Sequence, residues 1–171
     1  MSLPRVTEIL ELVKNGGNAF TTIDFAHHEI HEGESFTASY KADVANGANL
    51  DLLIVTPNTD KRIHFTYVIE VELETDGALY ENVTATAGTA VAAYNRDRNS
   101  ANTATLVVTH TPSGITAGTT IIRSGHYGSG KTIGGDDSTV NEIILKKNTK
   151  YLLRLTNVIS NATNYMSVRL N

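Results

Sequence analysis

Hydrophobic and polar positions change period once along this chain. From about residue 20 onward the period is two, the mark of half-buried strands. The longest run is Ile63, Phe65, Tyr67, Ile69, Val71 and Leu73, alternating with His64, Thr66, Val68, Glu70, Glu72 and Glu74. It predicts one long antiparallel strand with an acidic outer end. Shorter runs follow the same rule at 35–41 (Phe36, Ala38, Tyr40), 49–56 (Leu50, Leu52, Ile54), 77–84, 88–94, 103–110, 119–123, 141–146, 150–156 (Tyr151, Leu153, Leu155) and 165–170 (Met166, Val168, Leu170). Turn signals separate them: Asn46-Gly47, Pro57-Asn58, Asp76-Gly77, Pro112-Ser113-Gly114, the glycine-rich stretch 125–135, Lys147-Asn148 and Ser160-Asn161. About nine or ten short strands at this spacing predict an all-β chain, a jelly-roll-like antiparallel β-sandwich.

Before residue 20 the pattern is helical. Val6, Ile9, Leu10 and Val13 fall on one face, Pro4 suits a first turn, and Gly16-Gly17 is a stop signal. A helix of about three turns is too short to stand alone in water, so this one must pack on its own domain or on a neighbouring molecule. The expected organisation is a helical arm with a hinge at 1–29 and a β-sandwich domain at 30–171.

Composition narrows the function classes. The 171 residues are one domain's worth of chain, and 40% hydrophobic with 19% charged residues is too apolar for disorder. A formal charge of −4 argues against a nucleic-acid binder, which would neutralise phosphates with Lys and Arg. The absence of Cys excludes disulfide frameworks, thiolate metal sites and Cys nucleophiles. No apolar run reaches the length of a membrane span, and Met1–Lys14 lacks the layout of a secretory signal. A soluble chain made in a cytoplasm, without nucleic-acid or membrane partners, is the expectation.

Four patterns could carry chemistry. Gly125-His126-Tyr127-Gly128-Ser129-Gly130-Lys131-Thr132 matches G-x-x-x-x-G-K-[ST]. A phosphate-binding loop, however, opens a helix, whereas Ile133-Gly134-Gly135-Asp136-Asp137 follows here; a glycine-rich loop in a β protein is expected instead. Glu70, Glu72 and Glu74 would share one strand face, but catalytic carboxylates flank a cleft from different strands, so a solvated or interface surface is expected. His27, His28, Glu29, His31 and Glu32 form the one metal-like cluster. His27 and His31 would share a face of a strand, a further ligand would be needed, and His64, His110 and His126 are scattered, so a polar hinge is expected. No nucleophile elbow singles out a Ser. The last pattern is Asn95-Arg96-Asp97-Arg98-Asn99, where Arg96 and Arg98 could grip carboxylates of a partner chain. No catalytic residue, cofactor or metal is expected, and the chain reads as a non-enzyme.

Five strings, in order, carry a resemblance: Ile30-His31-Glu32-Gly33-Glu34-Ser35-Phe36, Asn49-Leu50-Asp51-Leu52-Leu53-Ile54-Val55-Thr56-Pro57, Leu79-Tyr80-Glu81, Asn95-Arg96-Asp97-Arg98, and Asn148-Thr149-Lys150-Tyr151-Leu152-Leu153-Arg154-Leu155-Thr156-Asn157. Over residues 30–171 the chain resembles the capsid decoration proteins of tailed bacteriophages, also called cement or head-stabilising proteins. The resemblance implies a jelly-roll-like homotrimer on the outer surface of the virion head, bound to the major capsid protein at local threefold points of the expanded shell. It brings no catalytic residues. The arm residues Val6, Ile9, Leu10 and Val13 are then the expected capsid or intersubunit contacts, with Arg96 and Arg98 beside them. The competing reading is a head fibre or carbohydrate-binding module for host adhesion. The lack of Trp counts against it, because sugar platforms are usually aromatic.

Overall fold

The computed structural model describes residues 25–118, 120–128, 134–137 and 142–171. Val6, Ile9, Leu10 and Val13 lie outside the described residues. The elements are one helix, α1 (Phe25–His31), and the strands β1 (Phe36–Val44), β2 (Asn49–Val55), β3 (Ile63–Phe65), β4 (Tyr67–Val71), β5 (Thr75–Glu81), β6 (Thr84–Thr86), β7 (Thr89–Ala90), β8 (Ala93–Asn95), β9 (Val107–His110), β10 (Ser113–Thr116), β11 (Thr120–Tyr127), β12 (Gly134–Asp137), β13 (Ile143–Leu145), β14 (Lys150–Asn157) and β15 (Asn164–Leu170).

The strand pairings follow one rule. The first strand pairs with the last, β1 with β15, and each later strand pairs one step further in: β2 with β14, β3 with β13, β4 with β12, β5 with β11, β6 with β10 and β7 with β9. The described strands are therefore a single long antiparallel hairpin with β8 at its tip. Rolling that hairpin up adds the lateral pairs β4–β15, β5–β14, β2–β9 and β1–β8. The result is a five-stranded sheet, β12-β4-β15-β1-β8, facing a six-stranded sheet, β11-β5-β14-β2-β9-β7. A folded-over hairpin split between two sheets is the jelly-roll arrangement, so the predicted fold class is the observed one.

Alternation decides what lies between the sheets. Val71, Met166, Val168 and Leu170 from the first sheet meet Leu50, Leu52, Ile54, Leu79, Leu153 and Leu155 from the second, all buried. Truncating one of these, Leu155 for example, removes packing that typically stabilises a fold by about 2–5 kcal/mol. The central strands of the larger sheet are also covered on their other face. There Leu53 and Leu152 pack under Val83 and Ala85, with Ile115 against them, so the β6–β10 ribbon seals part of the outer surface. Two-sided burial is why Leu52-Leu53-Ile54 and Tyr151-Leu152-Leu153 read as unbroken apolar runs.

Three expectations are corrected locally. The long strand 63–74 breaks at Thr66, whose backbone exchanges two hydrogen bonds of 2.9 Å with Asn171 as the chain passes from one sheet to another. The turn Pro112-Ser113-Gly114 runs into strand β10, and the glycine-rich stretch 125–135 has its first three residues in β11 and its last two in β12. Residues 25–31, read as part of a polar hinge, are the helix α1.

Candidate interaction surface

The clearest constructed surface feature joins two segments far apart in the sequence, the α1–β1 turn and the loop after β8. The helix ends in a Schellman motif. Gly33 N–H donates to the Ile30 carbonyl at 3.0 Å and Glu34 N–H to the Glu29 carbonyl at 2.9 Å. Gly33 holds φ at +68°, the left-handed value this cap needs. It is also hemmed in: a Cβ there would lie 2.3 Å from Ser100 Oγ. Glycine is required at this position twice over.

The loop 95–102 is shaped by short-range side-chain turns. Asn95 Oδ1 accepts from Asp97 N–H at 2.9 Å, Asp97 Oδ1 from Asn99 N–H at 2.9 Å, and Ser100 Oγ from Asn102 N–H at 3.2 Å. The pattern N-x-D-x-N-S-x-N is the sequence signal for these turns, and it also marks Asn95 and Asn102 as loop-builders. Asn95 is then used a second time. Its buried Nδ2 donates to the Gly33 carbonyl at 2.8 Å, sixty-two positions away, and Asn102 Nδ2 reaches the same carbonyl at 3.3 Å. Arg96 N–H donates to the Ser35 carbonyl at 2.8 Å, which completes a clasp between the turn and the loop.

What the clasp displays is basic and aromatic. Arg96 and Arg98 are exposed, and Tyr94 is 56% exposed although it is a large ring. The Arg98 guanidinium sits 5.4 Å from the centre of the Tyr94 ring, and Arg96 Nη1 is 3.4 Å from Ser35 Oγ. Arg98 Nη1 also reaches back to the Asn95 carbonyl at 3.4 Å, so the ring and this contact together hold an exposed guanidinium of the kind that pairs with a partner's carboxylate. Tyr and Arg are also the side chains that most often dominate protein interfaces. The sequence singled out Arg96 and Arg98 and missed Tyr94, which lies on β8, an outer strand of the five-stranded sheet.

The remaining candidate residues are dispersed. Glu70 lies on β4, whereas Glu72 and Glu74 sit in the bend before β5, so the three acids do not share a strand face. Gly125, His126 and Tyr127 are ladder residues of β11, paired with Gly77, Asp76 and Thr75. A phosphate-cradling turn does not begin there, and residues 129–133 lie outside the described residues. His126 Nδ1 lies 2.7 Å from Asp76 Oδ1 and His64 Nδ1 lies 2.9 Å from Glu142 Oε1. His110 stacks on Tyr40 with ring centres 4.2 Å apart. Among the described residues no group of three or more His, Cys, Asp or Glu side chains could hold a metal ion. None of the helices among the described residues is long and apolar enough to cross a membrane.

The outer face of the larger sheet beyond the β6–β10 ribbon is a shallow depression of about 360 Å³, lined by Asp76, Ala78, Tyr80, Ile121, Ser124 and Arg154 among others. Arg154 is fixed there by a two-pronged pair with Asp51, both contacts 2.7 Å, which raises its pKa further. Its Nε and one Nη donor are committed to Asp51, which neutralises its charge within the protein. No protein-family model, curated protein or solved structure matches the chain.

Proposed function

We propose that this chain is a structural virion protein. It binds the outer surface of a tailed-bacteriophage head as a homotrimer at local threefold positions, with the major capsid protein as partner, and it stabilises the expanded shell. The observation that carries the reading is the clasp. Two of the strings on which the resemblance rests, Ile30–Phe36 and Asn95–Arg98, meet in space and hold Tyr94, Arg96 and Arg98 outward. A docking edge needs side chains held in place before the partner arrives, because ordering them on binding costs affinity. The clasp supplies that order, and each exposed guanidinium spends one long 3.4 Å contact on it, Arg96 to Ser35 Oγ and Arg98 to the Asn95 carbonyl, with its other donors left for the partner. Acting by mass action, such a protein favours the lattice state that presents its complete site.

The test is co-sedimentation of the purified protein with undecorated expanded heads and with unexpanded precursor shells, alongside light scattering of the free protein. Saturable binding to expanded heads alone, by a species three times 18.5 kDa, is the expected result. Binding to neither shell sinks the proposal and moves attention to host-surface glycans.

A further inference from the structure

Helix α1 brings together two imidazoles that the sequence pattern, read as strand or hinge, left apart. His27 and His31 are four positions apart, one helical turn, and so lie on the same face. Their Nε2 atoms are 2.9 Å apart, and the ring centres are 4.6 Å apart with the planes at 72°. In this state one Nε2 carries a proton and donates it to the other. Both residues are exposed, so the paired Nε2 atoms are accessible from solvent.

That separation matches the bite of a chelate. Imidazole nitrogens bind divalent transition-metal ions at about 2.0–2.1 Å; two of them at right angles, as on tetragonal Cu²⁺ or Ni²⁺, lie about 2.9 Å apart, and on tetrahedral Zn²⁺ about 3.3 Å, a small opening of the pair. We propose that His27 and His31 form a two-imidazole clamp for a divalent transition-metal ion of the Cu²⁺, Ni²⁺ or Zn²⁺ class. Binding moves the shared proton of the donor ring from Nε2 to Nδ1, so each ring presents an Nε2 lone pair to the ion and no net proton is lost. Imidazole donors favour these ions over Mg²⁺ and Ca²⁺, which take oxygen ligands. Glu29 and Glu32, on the same short segment, add negative charge nearby. No third side chain among the described residues completes the sphere, so water fills the open positions.

The clamp is also well anchored. His31 is two residues from Gly33, whose carbonyl is bolted to the sandwich by Asn95. The second imidazole is thus pre-positioned, and an ion spanning 27 to 31 fastens the helix across one turn onto that anchor. The inference is independent of the virion reading, since it rests on the two imidazoles of α1 and needs no partner protein.

The experiment is calorimetric titration of the full, untagged chain with NiCl₂ and with ZnCl₂, next to His27→Ala, His31→Ala and the control His28→Ala. One ion per chain is expected. Either clamp variant converts a chelate into a single-ligand site and weakens binding on the order of 100-fold. His28→Ala, whose ring faces Glu32 at 3.9 Å, leaves affinity nearly unchanged. With Cu²⁺, electron paramagnetic resonance shows two nitrogen ligands in the parent chain and one in either clamp variant, a readout that a merely unravelled helix does not produce. Absence of saturable binding, equal binding by the clamp variants, or one ion shared between two or more chains each overturns the single-chain clamp.

Discussion

Two corners of this jelly roll use the same device for opposite ends. At one, Asn157 and Asn164 are fully buried. Asn157 Nδ2 donates to the Val44 and Ala162 carbonyls at 2.8 and 2.9 Å, and its Oδ1 accepts from Ile159 N–H at 3.0 Å. Asn164 Oδ1 accepts from Leu73 N–H at 3.0 Å, while its Nδ2 donates to the Leu73 carbonyl at 3.0 Å and to Thr75 Oγ1 at 2.8 Å. At the other corner, Asn95 joins Gly33 to the loop that carries Arg96 and Arg98. In both, a carboxamide acts as a spare peptide group that pairs backbone which no strand reaches. The first corner turns everything inward and closes the fold. The second spends its asparagine on holding neighbours outward. Buried polar chemistry therefore does not by itself mark a site; what distinguishes the second corner is the exposure of the residues flanking the anchor.

The largest expected effect comes from breaking the closed corner. Asn164→Leu strands the Leu73 N–H and also removes the amide donor to the Leu73 carbonyl and to Thr75 Oγ1, which stay paired with each other at 3.0 Å; an orphaned buried group costs about 1–3 kcal/mol and each further lost hydrogen bond about 1 kcal/mol. Denaturant unfolding should show a loss of about 3 kcal/mol or more, while the folded fraction still binds expanded heads. Asn95→Ala should cost less, about 1–3 kcal/mol. It should also speed amide exchange at Asp97, which loses its acceptor, and weaken head binding, because this corner couples order to display. If Asn164→Leu and Asn95→Ala weaken head binding equally in their folded fractions, the contrast between the corners fails.

A third perturbation sharpens the same division through pH. The Tyr151 hydroxyl lies inside, 3.2 Å from Glu81 Oε2, and burial is the main cause that lifts its pKa above the ordinary value of 10.0. The folded state thus resists an ionisation that the unfolded chain undergoes. The sign follows: this contribution is complete below about pH 10 and is lost as pH climbs past that toward the raised folded value. Tyr151→Phe should flatten that alkaline decline in thermal unfolding and leave head binding at neutral pH unchanged. The smallest effect on stability belongs to Arg96→Ala and Arg98→Ala, within about 0.5 kcal/mol in each case. Those two variants should instead lose affinity in the sedimentation assay. A stability loss without a binding loss would make the displayed edge structural.

How much of this was legible in the sequence depended on how local the determinant was. β14 and β15 were readable because Tyr151, Leu153 and Leu155, then Met166, Val168 and Leu170, alternate within their own segments. The turns at Asn148 and Asn161 were readable too, and both residues adopt positive φ, which asparagine tolerates. The break at Thr66 was not readable, since it depends on pairing with Asn171 more than a hundred positions away. β10 and β12 escaped because Ser113-Gly114-Ile115-Thr116 and Gly134-Gly135-Asp136-Asp137 carry no apolar alternation; they are strands because β6 and β4 offer them an edge. Arg96 and Arg98 could be picked out as a polar loop, but the anchor beneath them could not, because Gly33 lies in another part of the chain. The histidine cluster was picked out but placed on a strand or hinge, because Phe-Ala-His-His-Glu-Ile-His has no apolar stripe to announce the helix that brings His27 and His31 together.

The nested pairing of the strands has a consequence for how the molecule is made. β14 lies between β2 and β5, and β15 between β1 and β4, so the middle of each sheet is the part of the described chain synthesised last. While the polypeptide emerges, β1, β2, β4 and β5 have their sides open and their main partners still unmade. Pairing near the tip, β7 with β9 and β6 with β10, becomes available first, and closure proceeds outward from the chain's middle toward its ends. Assembly of this kind is slow, because its contacts span long stretches of sequence, and it exposes strand edges until the final segments arrive. A nascent chain halted anywhere before Asn164 holds the two halves of a sheet without the strand that joins them.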